Sequence, residues 1–248
     1  MGASRRLLTP LIPAALLSCA APAAEQDGAN TARPSNAATS SERVRGAVVE
    51  VHVTPEGVSV DGERVEQLGA SLEKAKADGR VETFASGSKT KLTILVDPEV
   101  PYRTLFEVLD TAERSSISRY LLREVGTERV VAAESKSAVV RPPDTANVLD
   151  LAMHVLPNRI TLKVGNGKSA PGCSDIGKAT GGSNVDLTAL NACATRLKDD
   201  NPQAEADYAV VIRAAPEMPF GEVVSAIKAI RANGDRALFP NVAFDAPK

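Results

Sequence analysis

Leu95-Val96-Asp97-Pro98-Glu99-Val100-Pro101-Tyr102 returns later in the same chain as Arg213-Ala214-Ala215-Pro216-Glu217-Met218-Pro219-Phe220. Pro216 lies 118 residues beyond Pro98. Upstream, Val51-His52-Val53-Thr54-Pro55 returns as Met153-His154-Val155-Leu156-Pro157, at a spacing of 102. Solenoid units repeat every ~20–50 residues, so a repeat this long marks two copies of a whole module. Each copy then helps to read the other. Positions that keep their character are structural, and positions that differ are free or specialised.

Working outward from the turn, Val49, Val51 and Val53 alternate with Glu50 and His52, the period of a half-buried strand. Thr54-Pro55-Glu56-Gly57 reads as a turn and Val58-Ser59-Val60 as the returning strand of a hairpin. The second copy repeats this with Leu151, Met153 and Val155, a turn through Pro157-Asn158, and Ile160-Thr161-Leu162. A helix follows in each copy, with Val65, Leu68, Leu72 and Ala75 matched by Leu187, Leu190, Ala194 and Leu197 at a shift of 122. Residues 91–96 and 209–214 read as strands, and the Pro-Glu-x-Pro turn opens a second helix, where proline is tolerated because its missing N–H costs nothing. On that helix Tyr102, Leu105, Phe106, Leu109 and Ala112 correspond to Phe220, Val223, Val224, Ile227 and Ile230. Both sets form an apolar stripe of helical period. A last strand is expected near 119–122 and near 237–239. Each module is therefore ββαβαβ. The predicted fold class is α+β, as two tandem two-layer α/β sandwiches with two small cores.

The shift grows from 102 to 118, so the second copy carries a net insertion of 16 residues. It falls between Val164 and Asp186, in a Gly-rich stretch that contains Cys173. Cys193 lies on the helix that follows, and the first copy has neither cysteine. In an exported protein two such thiols pair, which predicts a Cys173–Cys193 disulfide pinning insertion 165–185. A metal site is the competing reading, and two cysteines with no nearby His do not support it.

Export is suggested by the N-terminus. Arg5 and Arg6 precede an uncharged, mainly apolar run from Leu7 to Leu17, then Ser18-Cys19, which is the layout of a secretory signal peptide. The end of that run resembles the lipobox of bacterial lipoproteins, which implies cleavage before Cys19 and a lipid on its thiol. An ordinary signal peptide stands beside this reading. An uncleaved anchor fits less well, because Pro10 and Pro13 interrupt a run already short of the ~20 residues a spanning helix needs. Residues 20–45, rich in Ala, Ser, Thr, Asn and Pro, read as a disordered tether. The domain plan is then a signal peptide over 1–19, the tether, module one over 46–133, a linker over 134–146 and module two over 147–246. Net charge is −2 from 29 Lys+Arg and 31 Asp+Glu, which gives no electrostatic reason to expect nucleic acid. Trp is absent, with 5 Phe and 3 Tyr, so aromatic stacking platforms for sugars or single strands are poorly supported.

The element order, the strand ending Val96-Asp97 and the Val100-Pro101-Tyr102 start of an apolar helix resemble the periplasmic domain of the ExbD/TolR family of biopolymer-transport proteins. The resemblance covers most of 47–125 and, more loosely, 148–244. It implies a role on the periplasmic side of a Gram-negative envelope, the outer membrane being favoured by Ala20 after the lipidated cysteine. It implies binding of peptidoglycan or an envelope transport protein, and dimerisation, which two fused copies can achieve as an intramolecular pseudo-dimer. The family's Asp corresponds to Asp97, where the second copy has Ala215. Gly234 fits the family's Gly after the second helix, where the first copy has Ser116. The family's membrane helix carries an Asp for proton flow. Leu7 to Leu17 has no Asp or Glu, so this chain is not expected to conduct protons. An inner-membrane accessory of a proton-driven ExbB/ExbD- or TolQ/TolR-type complex is the alternative.

Chemistry-bearing residues are few. His52 and His154 occupy equivalent places and point away from the apolar faces of their strands; facing each other they would bind a metal or sense pH, but common ancestry explains the match. Asp97 and Glu99 could act as paired carboxylates, but only Glu99 recurs, as Glu217, and an Asp before a helix is usually a cap or turn residue. No nucleophile motif and no phosphate-cradling Gly-Lys-Ser/Thr is present. Arg114, Arg119, Arg123 and Arg129 form a basic accent that could meet anionic polymers and is more often a solvated face. No enzyme activity and no cofactor are expected. Asp97, Glu99, Tyr102, Glu217 and Phe220, on the repeated turns, are the candidate partner-binding residues.

Overall fold

A computed structural model describes residues 49–83, 90–135, 149–165, 167–173, 176, 177, 185–202 and 210–247. Signal peptide, tether and Cys19 therefore lie outside the described residues, as do residues 136–146 of the expected linker and the first two residues of module two. The fold is mixed α+β.

The first copy begins with the hairpin β1 (Glu50–Thr54) and β2 (Gly57–Val60), continued by β3 (Glu63–Arg64). Asp61 and Gly62 join β2 to β3, both at positive φ (53° and 82°), the conformation that Asp-Gly turns adopt readily. Helix α1 (Leu68–Ala77), the short β4 (Glu82–Thr83), β5 (Thr90–Val96), α2 (Tyr102–Arg114), β6 (Ile117–Glu124) and β7 (Val130–Ser135) follow. The second copy runs β8 (Ala152–Leu156), β9 (Arg159–Val164), β10 (Lys168–Ser169), α3 (Leu187–Asp200), β11 (Val210–Ala214) and α4 (Phe220–Arg231). It ends with the hairpin β12 (Ala232–Asn233) and β13 (Arg236–Ala237), then β14 (Val242–Phe244).

The two copies share one sheet. In the first, β1 pairs antiparallel with β2 and parallel with β5, which pairs parallel with β6. In the second, β8 pairs antiparallel with β9 and parallel with β11, which pairs parallel with β14. Strand β7 closes the gap, antiparallel to β6 and parallel to β14. The order across the sheet is β10-β9-β8-β11-β14-β7-β6-β5-β1-β2-β3.

Three details differ from the sequence reading. First, β7 lies outside the ββαβαβ pattern and runs past the expected boundary at residue 133. Its alternating buried Val131, Ala133 and Ser135 give it a core face, and it welds the half-sheets together. Second, the last strand of the second copy is 242–244, not 237–239. Leu238 and Phe239 are buried, but their N–H groups donate to the Arg231 and Ile230 carbonyls, so this apolar pair closes the C-terminus of α4. Third, one apolar core, not two, runs through both copies. Val51, Ile94 and Leu122 of one half-sheet and Met153, Ile212 and Phe244 of the other join it, with the buried faces of α1, α2, α3 and α4.

The insertion also has a place in the sheet. Ile160 and Ile176 exchange both backbone hydrogen bonds (2.9 and 3.0 Å), and the Ala170 N–H donates to the Leu162 carbonyl. The segment thus covers the outer edge of β9, as β3 covers β2 in the first copy. The sulfurs of Cys173 and Cys193 lie at bonding distance, with Cα atoms 5.8 Å apart, tying this edge cover to α3.

Candidate functional site

The repeated turns meet. Pro101 and Pro219 form an antiparallel bridge, and the exchange around it is reciprocal. Tyr102 N–H donates to the Met218 carbonyl at 2.8 Å, and Phe220 N–H donates to the Val100 carbonyl at 2.9 Å. Arg103 N–H reaches the Pro216 carbonyl and Gly221 N–H the Pro98 carbonyl, both at 2.9 Å. Each bond maps onto its partner by the 118-residue shift, so a local twofold relates the turns. The first N–H groups of a helix lack intrahelical acceptors. Pro101 and Pro219 are the N-caps of α2 and α4 and offer no side-chain cap. Each helix start is therefore capped by the backbone of the other copy.

Two side chains make the junction tight. The Tyr102 hydroxyl lies 2.8 Å from the Ile212 carbonyl and 2.7 Å from that of Asp245, both in the second copy. Its ring is fully buried and packs 6.2 Å from that of Phe244. Burial pushes the phenol far above its ordinary pKa. Arg213 holds the Asp245 side chain through Nε and Nη2, at 2.8 and 2.6 Å. Gly221 allows a close approach on the other side, because a Cβ there would lie 3.1 Å from both Pro98 Cβ and Glu124 Oε1, tighter than ordinary contact. Glu124 is buried, accepts from Thr127 and pairs with Arg129, whose Nη1 also donates to Ser225 Oγ on α4 at 3.0 Å.

The five candidate residues divide. Tyr102 and Phe220 are fully buried, which corrects their expected role as partner-binding groups: what they contact is the rest of this chain. Glu99 and Glu217 are exposed at equivalent places, and Asp97 is half-buried. Asp97 does not cap α2. Its carbonyl accepts from Val100 N–H, and its Oδ1 lies 2.9 Å from His52 Nε2. A carboxylate only accepts, so Nε2 carries the proton. The side chains are 34% and 29% exposed. In the second copy Ala215 is buried at the place of Asp97, and His154 is buried as well. His52 and Asp97 lie 45 residues apart, and the one sequence signal of their pairing is that His and Asp accompany each other in the first copy only.

Ser59 stands opposite His52 in the β1–β2 register, but among the described residues no hydrogen bond joins them. No group of three or more His, Cys, Asp or Glu side chains among the described residues is placed to hold a metal ion. Of the basic accent, Arg114 pairs with Asp110, Arg119 with Glu134 and Arg129 with Glu124, leaving Arg123 as its exposed cation without an ion pair among the described residues. No helix among the described residues is long and apolar enough to cross a membrane.

Clefts open among the described residues. One of about 820 Å³ lies between the β6–β7 turn and α4, with Val130, Val131, Ile227 and Lys228 in its lining. Another of about 290 Å³ sits beneath Pro98 and Glu99, against Leu156, Leu187 and Glu222. A third, of about 610 Å³, lies between α1 and α2. Comparison with protein-family models, with curated proteins and with solved structures found no match to this chain.

Proposed function

We propose that the chain is a non-catalytic binding protein of a Gram-negative envelope, lipid-anchored at Cys19. Its two ExbD/TolR-like modules are joined as a built-in dimer and bind peptidoglycan or an envelope transport protein. The observation that supports this reading is the reciprocal pairing of the Pro-Glu-x-Pro turns. These turns are part of what the family resemblance rests on, and the resemblance implies a domain that works in pairs. Here the pairing is intramolecular, so the binding-competent geometry would need no second chain. Fusing the copies removes the translational and rotational cost of association.

Binding also fits the chemistry better than catalysis does. The His52–Asp97 pair has no nucleophile hydrogen-bonded to it among the described residues, and the N-termini of α2 and α4, beside it and at the equivalent turn, are occupied by backbone carbonyls. The test uses the purified full chain and isolated sacculi. Retention above that of an unrelated acidic protein is expected, and retention no greater than the control overturns the peptidoglycan reading. Lipid labelling tests the anchor separately: Cys19→Ala should abolish label incorporation, and undiminished labelling would remove the lipoprotein assignment.

A further inference from the structure

The two copies differ in the space between the two helices of each module. In the second copy Asn191 on α3 bridges it, its Nδ2 donating to the Ala229 and Ala232 carbonyls at 2.7 and 2.8 Å. Thr195 Oγ1 adds a bond from Asn233 Nδ2 at 3.2 Å. In the first copy the residue equivalent to Asn191, by the 122-residue shift, is Gly69. A glycine has no side chain to cross the gap, and there α1 and α2 leave the groove of about 610 Å³. That is the size of a pocket able to take side chains of a ligand.

The groove has a definite chemistry. Val58, Val65 and Leu68 are partly buried and, with buried Val108, give an apolar floor. Glu66, Glu73 and Glu107 stand exposed on its rim. Glu73 is partnered by Lys76 at 3.2 Å, and rim residue Arg114 is held by Asp110 at 2.7 Å. Glu66 and Glu107 have no ion pair among the described residues. An apolar floor rimmed by two carboxylates that have no ion pair among the described residues complements a segment that buries an aliphatic side chain and presents cations beside it.

We propose that the α1–α2 groove of the first copy docks a cationic amphipathic protein segment, an aliphatic anchor on the floor and Lys or Arg against Glu66 and Glu107. The proposal rests on the reading of the chain as a binding protein and names the copy, the groove and the class of partner. In the second copy the Asn191 bridge takes the place of this site, so the two copies divide their work: one binds, and the other ties its two helices together.

The test is fluorescence anisotropy with the full chain and a labelled amphipathic peptide of Lys and Leu, long enough for about three helical turns. The same peptide with Glu for Lys is the charge control. The cationic peptide should bind and the acidic one should not. Gly69→Asn puts a side chain into the groove without changing charge, and its Cβ has room, meeting only Thr111 Cγ2 at an ordinary 3.6 Å. The double variant Glu66→Gln/Glu107→Gln removes charge without changing shape. Each should weaken binding about tenfold or more, while Glu128→Gln/Asp235→Asn, at the other large groove, should stay within about twofold. Thermal melts of each variant establish that it is folded. No binding at about 1 mM peptide, or binding that both groove variants leave unchanged, overturns the proposal, as does greater sensitivity to the Glu128/Asp235 variant. Intact retention on sacculi alongside failed peptide binding removes the groove alone and leaves the wider binding reading standing.

Discussion

Tyr102→Phe removes one oxygen atom from the junction and leaves the ring, its burial and its packing on Phe244 in place. The hydroxyl has one proton to share between two carbonyls. The Ile212 carbonyl has a second donor, Asp245 N–H at 3.0 Å. The variant therefore removes one hydrogen bond, which costs about 1 kcal/mol. The expected destabilisation is about 1 kcal/mol, or a fall in Tm of about 2–4 °C for a chain of this size. Urea denaturation followed by far-ultraviolet ellipticity gives the free energy. Amide hydrogen exchange gives the location: the four cross-turn N–H groups of Tyr102, Arg103, Phe220 and Gly221 should exchange faster. Tyr120→Phe is the control, because the Tyr120 hydroxyl bonds to Leu109 and Ile117 within the first copy. It should cost a similar amount and leave the cross-turn amides protected. A loss below about 0.5 kcal/mol in Tyr102→Phe, or exchange at the turns that follows Tyr120→Phe equally, would refute the claim that this phenol locks the copies together.

Other consequences are open to direct measurement. Gly221→Val should destabilise by about 1–3 kcal/mol through overpacking against Pro98 and Glu124, whereas Ala at the equivalent exposed Arg103 should change stability by less than about 0.5 kcal/mol; equal effects would remove the argument for a close approach at Gly221. Cys193→Ser opens a link across 20 residues and should cost about 3 kcal/mol in urea titrations, with rapid exchange of the Ile176 N–H. An unaltered Ile176 would show that the edge cover does not depend on the disulfide. Alkaline pH should unfold the protein through its phenols. Burial raises the pKa of Tyr102 and Tyr120 above the unfolded value, so their contribution is complete below pH ~10, the unfolded value, and is lost as pH rises toward the folded values. Phenolate absorbance from these two should therefore appear together with loss of ellipticity. Ionisation near pH 10 with the fold intact would contradict their burial.

The helices were legible because their cause is local. The apolar stripe from Tyr102 to Ala112 has one period, and the Pro-Glu-x-Pro turn fixes where it begins. The β1–β2 hairpin and the Cys173–Cys193 link were readable for the same reason, each resting on a short pattern or on a pair of rare residues. Leu238 and Phe239 misled because two adjacent apolar residues satisfy either a strand or a helix-end cover. The choice between them depends on the α4 carbonyls they meet. His52 and Asp97 were each seen, but nothing in their separation of 45 residues says that β1 and β5 are neighbours.

The sequence by itself determined the inventory: two copies of hairpin, helix, strand and helix, the insertion confined to the second, and the apolar positions of both. These follow from side-chain period and from backbone preferences acting over a few residues. Only the tertiary structure decided that the copies form one sheet and one core, because strand pairing is chosen among many exposed edges and β7 carries no mark naming β14 as its neighbour. It also decided what the repeated turns are for. A proline-bounded turn leaves helix N–H groups without acceptors, and that need can be met by water, by a side chain or by another chain. Here each turn meets it for the other, which places Tyr102 and Phe220 inside the molecule and leaves Glu99, Glu217 and the α1–α2 groove to face outward.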